Sequence, residues 1–264
     1  MMQDVATAGS LTLDSGANAN ALLARLSPGV IEALRPRVAL VSLAAGDLLC
    51  RSGDGLDTAY FPCSGVISAT LSSARSSADA CVIGREGYVA PTAILDVPCP
   101  YTLTTQTPSV AVAIDAAVLR TVIRADPAGE EMFHRFQHVL ALQAACAAVA
   151  HATERLDARL SRWLLMCADR IGPLLPVIHA DISRALAVRR AGVTLAIHML
   201  ESAGAVRACR AHIEVLDRAE LLRRAGPTYG VAEEEYARLI GRDDSDTDAS
   251  VRERTEPPAA GTFR

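Results

Sequence analysis

Lysine is missing from this chain. All 26 basic residues among its 264 are arginine, and alanine is abundant. This composition indicates a bias over the whole sequence, so a single arginine carries little information about function. The 30 acidic residues leave a formal net charge of −4 at pH 7, and any positively charged patch must therefore be local.

Long hydrophobic runs are also missing. The longest apolar region, Val139 to Ala150, is interrupted by Gln143 and is shorter than the ~20 residues that a membrane span needs. The N-terminus has no basic residue before Arg25 and no apolar run followed by a small-residue cleavage site, so we expect neither a signal peptide nor a membrane anchor. The sequence predicts a cytoplasmic protein.

Motifs of metal sites and catalytic centres are scarce. The 7 cysteines contain no C-x-x-C pair, so we expect reduced, mostly buried thiols rather than a zinc knuckle or an iron–sulfur site. No G-x-S-x-G, Walker or G-x-G-x-x-G pattern occurs. His134 and His138 are one helical turn apart and form at most half a zinc site, which we interpret as an exposed or dimer-facing pair. The sequence predicts no enzyme, no metal and no cofactor.

What the chain does have is enough apolar sequence for two folded units, since 50% of its residues are hydrophobic. A short helical segment from Ala19 to Leu34 precedes a region with a different residue pattern, Val38 to Ile114. There, short apolar or alternating runs are separated by turns rich in glycine and proline. A pattern of many short strands separated by turns is typical of a β-roll or jelly-roll barrel.

Two helices are predicted after the strands. Asp115 is a good N-cap for a helix over 116–124, and a much longer helix starts near Pro127 and runs past His151. One side of the long helix is strongly apolar and needs a partner, for which we propose its copy in a second subunit, giving a two-fold dimer. The residues assigned to this dimer seam are Phe136, Leu140 and Ala147.

The stretch from Asp181 to Gly204 is the most informative part of the chain. It predicts two short helices with a tight turn at Ala187-Val188, and an apolar stripe at helical spacing buries one side of the second helix. The opposite side carries Arg190, Thr194 and His198. Arginine can bond bidentately to guanine and threonine can contact bases or phosphates, so this helix is suited to reading the major groove.

Charge and the following residues favour the same interpretation. Residues 184–212 contain five arginines and a single acidic residue, Glu201. This excess of positive charge is typical of a surface that contacts phosphates. After Gly204, an alternating segment ending at Leu216 predicts a small hairpin, or wing, from which arginines can reach the DNA backbone. The predicted DNA contacts are Arg184, Arg189, Arg190, Thr194, His198, Arg207 and Arg210.

Several short motifs occur in a fixed order between Asn20 and Leu222. They are Tyr60-Phe61-Pro62 with Ser64-Gly65, Ile83-Gly84-Arg85-Glu86-Gly87, Arg159 to Met166 with Asp169-Arg170, Val188-Arg189-Arg190, Val193-Thr194 and Asp217-Arg218. Together with the order of the elements, they resemble the Crp/Fnr family of bacterial transcription regulators. The resemblance implies a homodimer whose sensory barrel controls a DNA-reading C-terminal domain. Its partner would be double-stranded promoter or operator DNA, with RNA polymerase as a further candidate.

We therefore expect an α+β architecture in three parts. A β-roll or jelly-roll sensory domain, similar to cyclic-nucleotide-binding domains, is placed at 19–126. A dimerisation helix follows at 127–155, and a winged helix-turn-helix domain occupies 156–241. Residues 1–18 and the acidic tail at 242–264 are expected to be disordered.

The resemblance also locates a ligand pocket at Gly84, Arg85, Glu86 and Gly87. In the nucleotide-binding branch of the family this turn captures a cyclic phosphate, but Arg85 stands where that branch has a glutamate that binds the ribose. No Arg, Lys or His occurs between Glu86 and Leu119. Because nothing there neutralises a phosphate, we expect no response to cyclic AMP. The pocket senses another small molecule of unknown identity, or nothing.

Two departures from the family keep a second hypothesis open. The first helix of the motif lacks a Ser or Thr cap, having Ile178, His179 and Ala180 there, and Ala187 replaces the turn glycine. Leu195 occupies an outward position where the cyclic-AMP-responsive branch presents an arginine. The alternative function is a ligand-binding or protein-interaction dimer that has lost sequence-specific DNA binding.

Overall fold

The computed structural model describes residue 16 and residues 19–74, 76–89 and 92–241. The expectation of disorder at 1–18 and 242–264 lies outside the described residues, apart from Gly16. A helical lead-in is present, as predicted, and Ser27 caps its helix α1 by accepting a hydrogen bond from the Val30 amide at 3.3 Å. The lead-in consists of a 3-10 helix (Leu23–Arg25), α1 (Pro28–Leu34) and a second 3-10 helix (Arg35–Arg37).

Seven strands form the N-terminal β-domain and confirm the predicted barrel. They are β1 (Val38–Leu43), β2 (Leu48–Cys50), β3 (Thr58–Ser64), β4 (Ile67–Ser72), β5 (Ser77–Ile83), β6 (Thr102–Thr105) and β7 (Ser109–Asp115). Two antiparallel sheets, β1-β7-β3 and β2-β6-β4-β5, enclose a core around Phe61, Ile67 and Tyr88. Pro62 lies in β3, an edge strand of its sheet, where a missing N–H removes the least pairing.

Three helices complete this half of the chain: α2 (Thr92–Leu95), α3 (Ala116–Arg124) and α4 (Pro127–Thr153). Asp115 caps α3, accepting from the Val118 amide at 2.9 Å, and Asp126 caps α4, accepting from the Gly129 amide at 3.1 Å. Both helices therefore begin where the sequence predicts. The four-residue α2 was not predicted, because so short a helix shows no period.

The C-terminal half is a winged helix-turn-helix domain, also as predicted. Its elements are α5 (Leu156–Ile171), β8 (Leu174–Leu175), α6 (His179–Ala185), α7 (Arg190–Ser202), β9 (Val206–Ala208), β10 (Ile213–Val215), α8 (Arg218–Arg224) and α9 (Val231–Leu239). The strands pair in the order β8-β10-β9. Trp163 and Leu164 of α5 share a core with Ile197 and Leu200 of α7, which fixes the orientation of the second helix of the motif.

The two halves pack against each other. Val66 and Val82 of the β-domain belong to the same apolar cluster as Trp163, and α6 contacts β5 while α9 contacts α4. In the described part of the chain, no helix is long and apolar enough to cross a membrane.

The three residues predicted to form the dimer seam are covered within the chain's own structure. Phe136, Leu140 and Ala147 are 1%, 8% and 6% exposed, because this face of α4 packs against the chain's own β-domain and α9. The Phe136 ring lies 5.5 Å from that of Tyr88 and 6.5 Å from that of Tyr236, measured between centroids. This side of α4 therefore makes its contacts within the subunit.

Candidate nucleic-acid interface

The turn of the helix-turn-helix motif is made by a residue in the left-handed conformation. Ala187 has φ +54°, which costs an alanine roughly 1–2 kcal/mol relative to the right-handed region. The Val188 amide donates to the Ser183 carbonyl at 3.0 Å, and the Ser183 hydroxyl donates back to the Val188 carbonyl at 2.5 Å. The Arg159 guanidinium donates to the Leu186 carbonyl. These three bonds hold the turn although it has no glycine.

The first helix of the motif, α6, has an unusual N-terminus. Its N-cap is Ile178, as the sequence indicates, and isoleucine has no side-chain acceptor for the first amides. Asp181 compensates in part, because its carboxylate accepts from the Ile178 amide at 2.9 Å. The same carboxylate lies 3.1 Å from the Arg184 guanidinium, so one of the predicted DNA contacts is engaged within its own helix.

The second helix, α7, has the two faces that the sequence predicts. Val193, Ile197 and Leu200 are buried, and the opposite side is open to solvent. On that side the Thr194 hydroxyl donates to the Arg190 carbonyl at 3.1 Å, while His198 Nδ1 lies 3.3 Å from a Glu201 carboxylate oxygen. Leu195 also projects from this face and is 64% exposed, an apolar group suited to a thymine methyl.

The predicted wing is formed by β9 and β10, and α7 holds it in place. The Glu201 carboxylate accepts a hydrogen bond from the Ala208 amide at 2.9 Å. The single acidic residue of the basic region therefore attaches the wing to α7. Within the wing, the Arg207 guanidinium pairs with Glu214 at 2.9 Å, because the strand register puts these residues opposite each other. Sequence spacing gave no sign of either pairing.

Three of the predicted arginines remain available. Arg189, Arg190 and Arg210 are exposed, and within the described ranges none of them has a carboxylate within 4 Å. Arg190 and Arg210 line a cleft of 370 Å³ between the start of α6 and the wing, together with His179. Two uncompensated guanidinium groups in one cleft form a site for a phosphate or a base edge.

The β-domain contains a separate cavity of 220 Å³, closed on one side by α4. Its walls are aliphatic, aromatic, thiol, hydroxyl and amide groups, and none of the described residues that line it is charged. Thr92 lines it as well, with a buried hydroxyl that has no hydrogen-bond partner among the described residues. Such a cavity suits an uncharged, mostly apolar molecule with one polar group.

Two family models match the chain in this same order. The cyclic nucleotide-binding domain matches residues 40–126, and the Crp-like helix-turn-helix domain matches residues 158–224. The chain belongs to the Crp/Fnr family. It is a DNA-binding transcription regulator of the Crp/Fnr type, and the resemblance seen in the sequence is confirmed.

Solved structures of Crp/Fnr regulators share this fold. A CRP-family regulator from Thermus thermophilus is 21% identical with a TM-score of 0.59, covering 70% of this chain and 96% of its own. A regulator from Eubacterium rectale is 15% identical with a TM-score of 0.60, covering 79% and 99%. The c-di-GMP responsive regulator CLP from Xanthomonas campestris is 16% identical with a TM-score of 0.59, covering 72% and 100%. No curated protein matches the chain.

The segment predicted as the ligand pocket of this Crp/Fnr regulator lies at the contact between its two halves. The Glu86 carboxylate accepts from the Gly84 amide at 3.1 Å and pairs with Arg170 of α5 at 2.7 Å. Gly87 packs against the Phe136 ring, and Arg85 is exposed. None of these four residues lines the 220 Å³ cavity of the β-domain.

Proposed function

We propose that this Crp/Fnr regulator acts as a homodimer on a two-fold operator in double-stranded promoter DNA, with Arg190 of each subunit contacting a base. Such a protein works in the cytoplasm and needs no catalytic residue. The observation that supports this role is the state of Arg190, an exposed cation at the first position of α7 with no acidic partner in the described part of the chain. The other available arginines, Arg189 and Arg210, flank it and would contact phosphates.

The test is the affinity of the Arg190→Ala variant for an operator mapped in the promoter upstream of the protein's own gene. Losing one base contact should weaken specific binding by ~1–3 kcal/mol and relax specificity at one position. Arg210→Ala is the matched control on the wing, because Arg210 is proposed to contact a phosphate rather than a base. It should weaken binding to all sequences alike and reduce the salt slope by about 1. Equal operator affinity of wild type and Arg190→Ala would remove Arg190 from the interface.

The same measurement decides between the two hypotheses drawn from the sequence. If the wild type binds no promoter fragment at low salt while remaining folded, the chain is the ligand-binding or protein-interaction dimer. The exposed Leu195 and the internally bonded Thr194 would then be features of a surface that no longer reads bases.

We propose that the dimer forms through the uncovered face of α4. Ala141, Ala145 and Ala148 are exposed there at helical spacing, beside Val149, which is 52% exposed. Small side chains let two helices approach closely, and an exposed apolar patch over residues 141–149 is the kind of surface that marks an interaction site. This face lies opposite Phe136 and Leu140, so the long helix can serve its own β-domain and a second copy at once.

The β-domain of this regulator should not respond to cyclic AMP or cyclic GMP. A cyclic phosphate carries a full negative charge, and among the described residues that line the 220 Å³ cavity none is charged to compensate it. A calorimetric titration of the Arg85→Ala variant with each nucleotide should show no binding at micromolar concentration, and binding to this variant would contradict the expectation for the cavity. Micromolar binding that is lost in Arg85→Ala would show that the phosphate is captured outside the cavity.

A further inference from the structure

A second cavity, 370 Å³ in volume, lies where the β-domain, α4, α5 and α9 meet. Of the residues that line the cavity inside the β-domain, it shares only Leu140. One of its walls is α9, which lies beyond the residues 158–224 that match the helix-turn-helix family model. This cavity is therefore built in part by an element outside both matched domains.

Most of the charged groups around this cavity compensate one another. Glu86 pairs with Arg170 at 2.7 Å, and Asp169 pairs with Arg218 at 2.7 Å. Glu233 of α9 lies close enough to Arg170 to raise the pKa of that guanidinium, in the same direction as Glu86 and against the effect of burial. The carboxylates in the walls thus have cations beside them.

Two guanidinium groups at the mouth have no such partner. Arg25 and Arg85 are exposed, and within the residues that the structure describes neither has a carboxylate within 4 Å. The Ala21 amide donates to the Arg85 carbonyl at 2.7 Å, and the Arg25 guanidinium donates to the Ala21 carbonyl at 2.9 Å. These bonds keep the two arginine-bearing segments side by side on one rim of the cavity.

The floor of the cavity is apolar. Phe136, Val139 and Ala232 contribute to it, and the aromatic ring of Tyr236 stands beside them, with its hydroxyl donating to the Glu86 carbonyl at 2.8 Å. The volume is that of a site for a small organic molecule. Apolar walls together with two unpartnered guanidinium groups favour a ligand with an apolar body and an anionic head, since arginine binds carboxylate and phosphate oxygens bidentately.

We propose that this cavity is an effector site for a small organic anion with an apolar or aromatic body, whose charged head is bound by Arg25 and Arg85. An occupant would touch the lead-in, the β-domain, α4, α5 and α9 together, and so would stabilise the packed arrangement of the two halves. The site is independent of the cavity inside the β-domain and of the residues that would contact DNA.

The test uses the full chain without DNA and measures binding by calorimetry. The probes are 4-phenylbutyrate, phenyl phosphate and the uncharged 4-phenylbutyramide. We expect one or both anions to bind at least about tenfold more tightly than the amide, as for a contact to a charged group. The better anion identifies the head group as carboxylate or phosphate.

Arg25→Gln and Arg85→Gln should each weaken binding of that anion about tenfold, whereas Arg37→Gln, an exposed arginine outside the cavity, should not change it. Exposed arginines can be replaced with little effect on folding, which circular dichroism would verify. Equal binding of amide and anions, unchanged affinity in both cavity variants, or no binding of any probe at millimolar concentration would each overturn the proposal. Because no DNA is present, the result does not depend on the role of Arg190.

Discussion

At position 87, the absence of a side chain decides how the β-domain meets the long helix. A Cβ on Gly87 would lie 1.8 Å from Cζ of Phe136, and that ring is held between Tyr88 and Tyr236. A methyl group could fit only if the ring and α4 moved together. The family resemblance assigns this glycine to a ligand pocket, whereas the structure gives it a packing role.

The variant Gly87→Ala should therefore lower the free energy of unfolding by ~1–3 kcal/mol, the usual cost of overpacking a filled core. Denaturant titration followed by circular dichroism measures this change. Gly55→Ala is the control, since a Cβ there meets nothing within 4 Å. Equal unfolding midpoints for the two variants would contradict the packing role.

Asp79 makes stability depend on pH. Burial raises the pKa of this carboxyl to about 6, although the hydrogen bond from Thr70 and the charge of Arg184 act in the opposite direction. The Thr70 hydroxyl donates to it at 2.8 Å and Gln106 Nε2 donates to it at 3.3 Å. The folded chain thus holds the Asp79 proton up to a higher pH than the unfolded chain, whose carboxyl has an ordinary pKa near 4.

The expected consequence is that stability falls as pH rises from about 4 to about 6 and then stays level, by an amount on the order of 3 kcal/mol. Asp79→Asn should abolish this slope in urea titrations at pH 4 to 7. The asparagine keeps an acceptor for Thr70, and Gln106 can turn its unpartnered Oε1 toward the new amide. A slope of the same size in the variant would mean that another group titrates.

The helices and strands that have a clear hydrophobic periodicity in the sequence were predicted well. The alternating runs of the β-domain and the buried stripe Val193, Ile197 and Leu200 have only one face that can be buried, and the structure buries it. The capped helices α3 and α4 begin at the predicted residues for the same local reason. The local sequence was sufficient to predict an element where burial and capping favoured the same conformation.

The long helix shows where sequence was insufficient. It is apolar on both sides, with Phe136 and Leu140 on one and Ala145 and Val149 on the other. Periodicity cannot choose between two apolar faces. The larger side chains, which the sequence analysis assigned to a dimer seam, fill the chain's own core, and the smaller ones stay exposed.

The ion pairs could not be predicted from the sequence, for a different reason. Glu86 and Arg170 are far apart in the chain and meet only through the packing of α5 on the β-domain. Arg207 meets Glu214 only through the register of the wing. The sequence therefore indicated which arginines are candidates for contacting DNA, but not which of them are already paired within the chain.

The dimer seam proposed on the uncovered face leads to a prediction for α4. Ala145→Glu would place a charge against its own symmetry mate and should give a folded monomer with weakened operator binding. Leu140→Glu should instead destabilise the β-domain, because it buries a charge in the subunit's own core. Sedimentation and circular dichroism distinguish the two, with Ala145→Ser as the control. A wild type that is monomeric at micromolar concentration would remove the premise.

Over the whole molecule, the two halves share an apolar cluster and a nearly buried ion pair. The Arg170 side chain is 8% exposed, and its guanidinium donates both to Glu86 and to the Met166 carbonyl, at 2.7 and 2.6 Å. Together with Val66 and Val82, this pair joins the DNA-binding half to the β-domain. The wild type should therefore unfold in a single thermal transition.

Removing one partner of the pair should be costly. Glu86→Gln removes the carboxylate that pairs with Arg170 and leaves it the weaker influence of Glu233, so it is expected to lower stability by up to ~3–5 kcal/mol and to split the calorimetric transition. Replacing both residues, as Glu86→Gln with Arg170→Met, should recover much of the loss, because no buried charge is left unpaired. If the double variant is no more stable than the single one, the pair is not what joins the halves.

The turn of the wing contains Cys209, whose thiol can be labelled selectively. This is the one exposed cysteine of the seven, and burial raises the pKa of thiols such as Cys81 and Cys167 far above neutral. Reagents that attack thiolates should then label the wing first. A fluorophore attached there would sit beside Arg210, at the edge of the surface proposed to meet DNA, and would report operator binding and release in real time without any engineered residue.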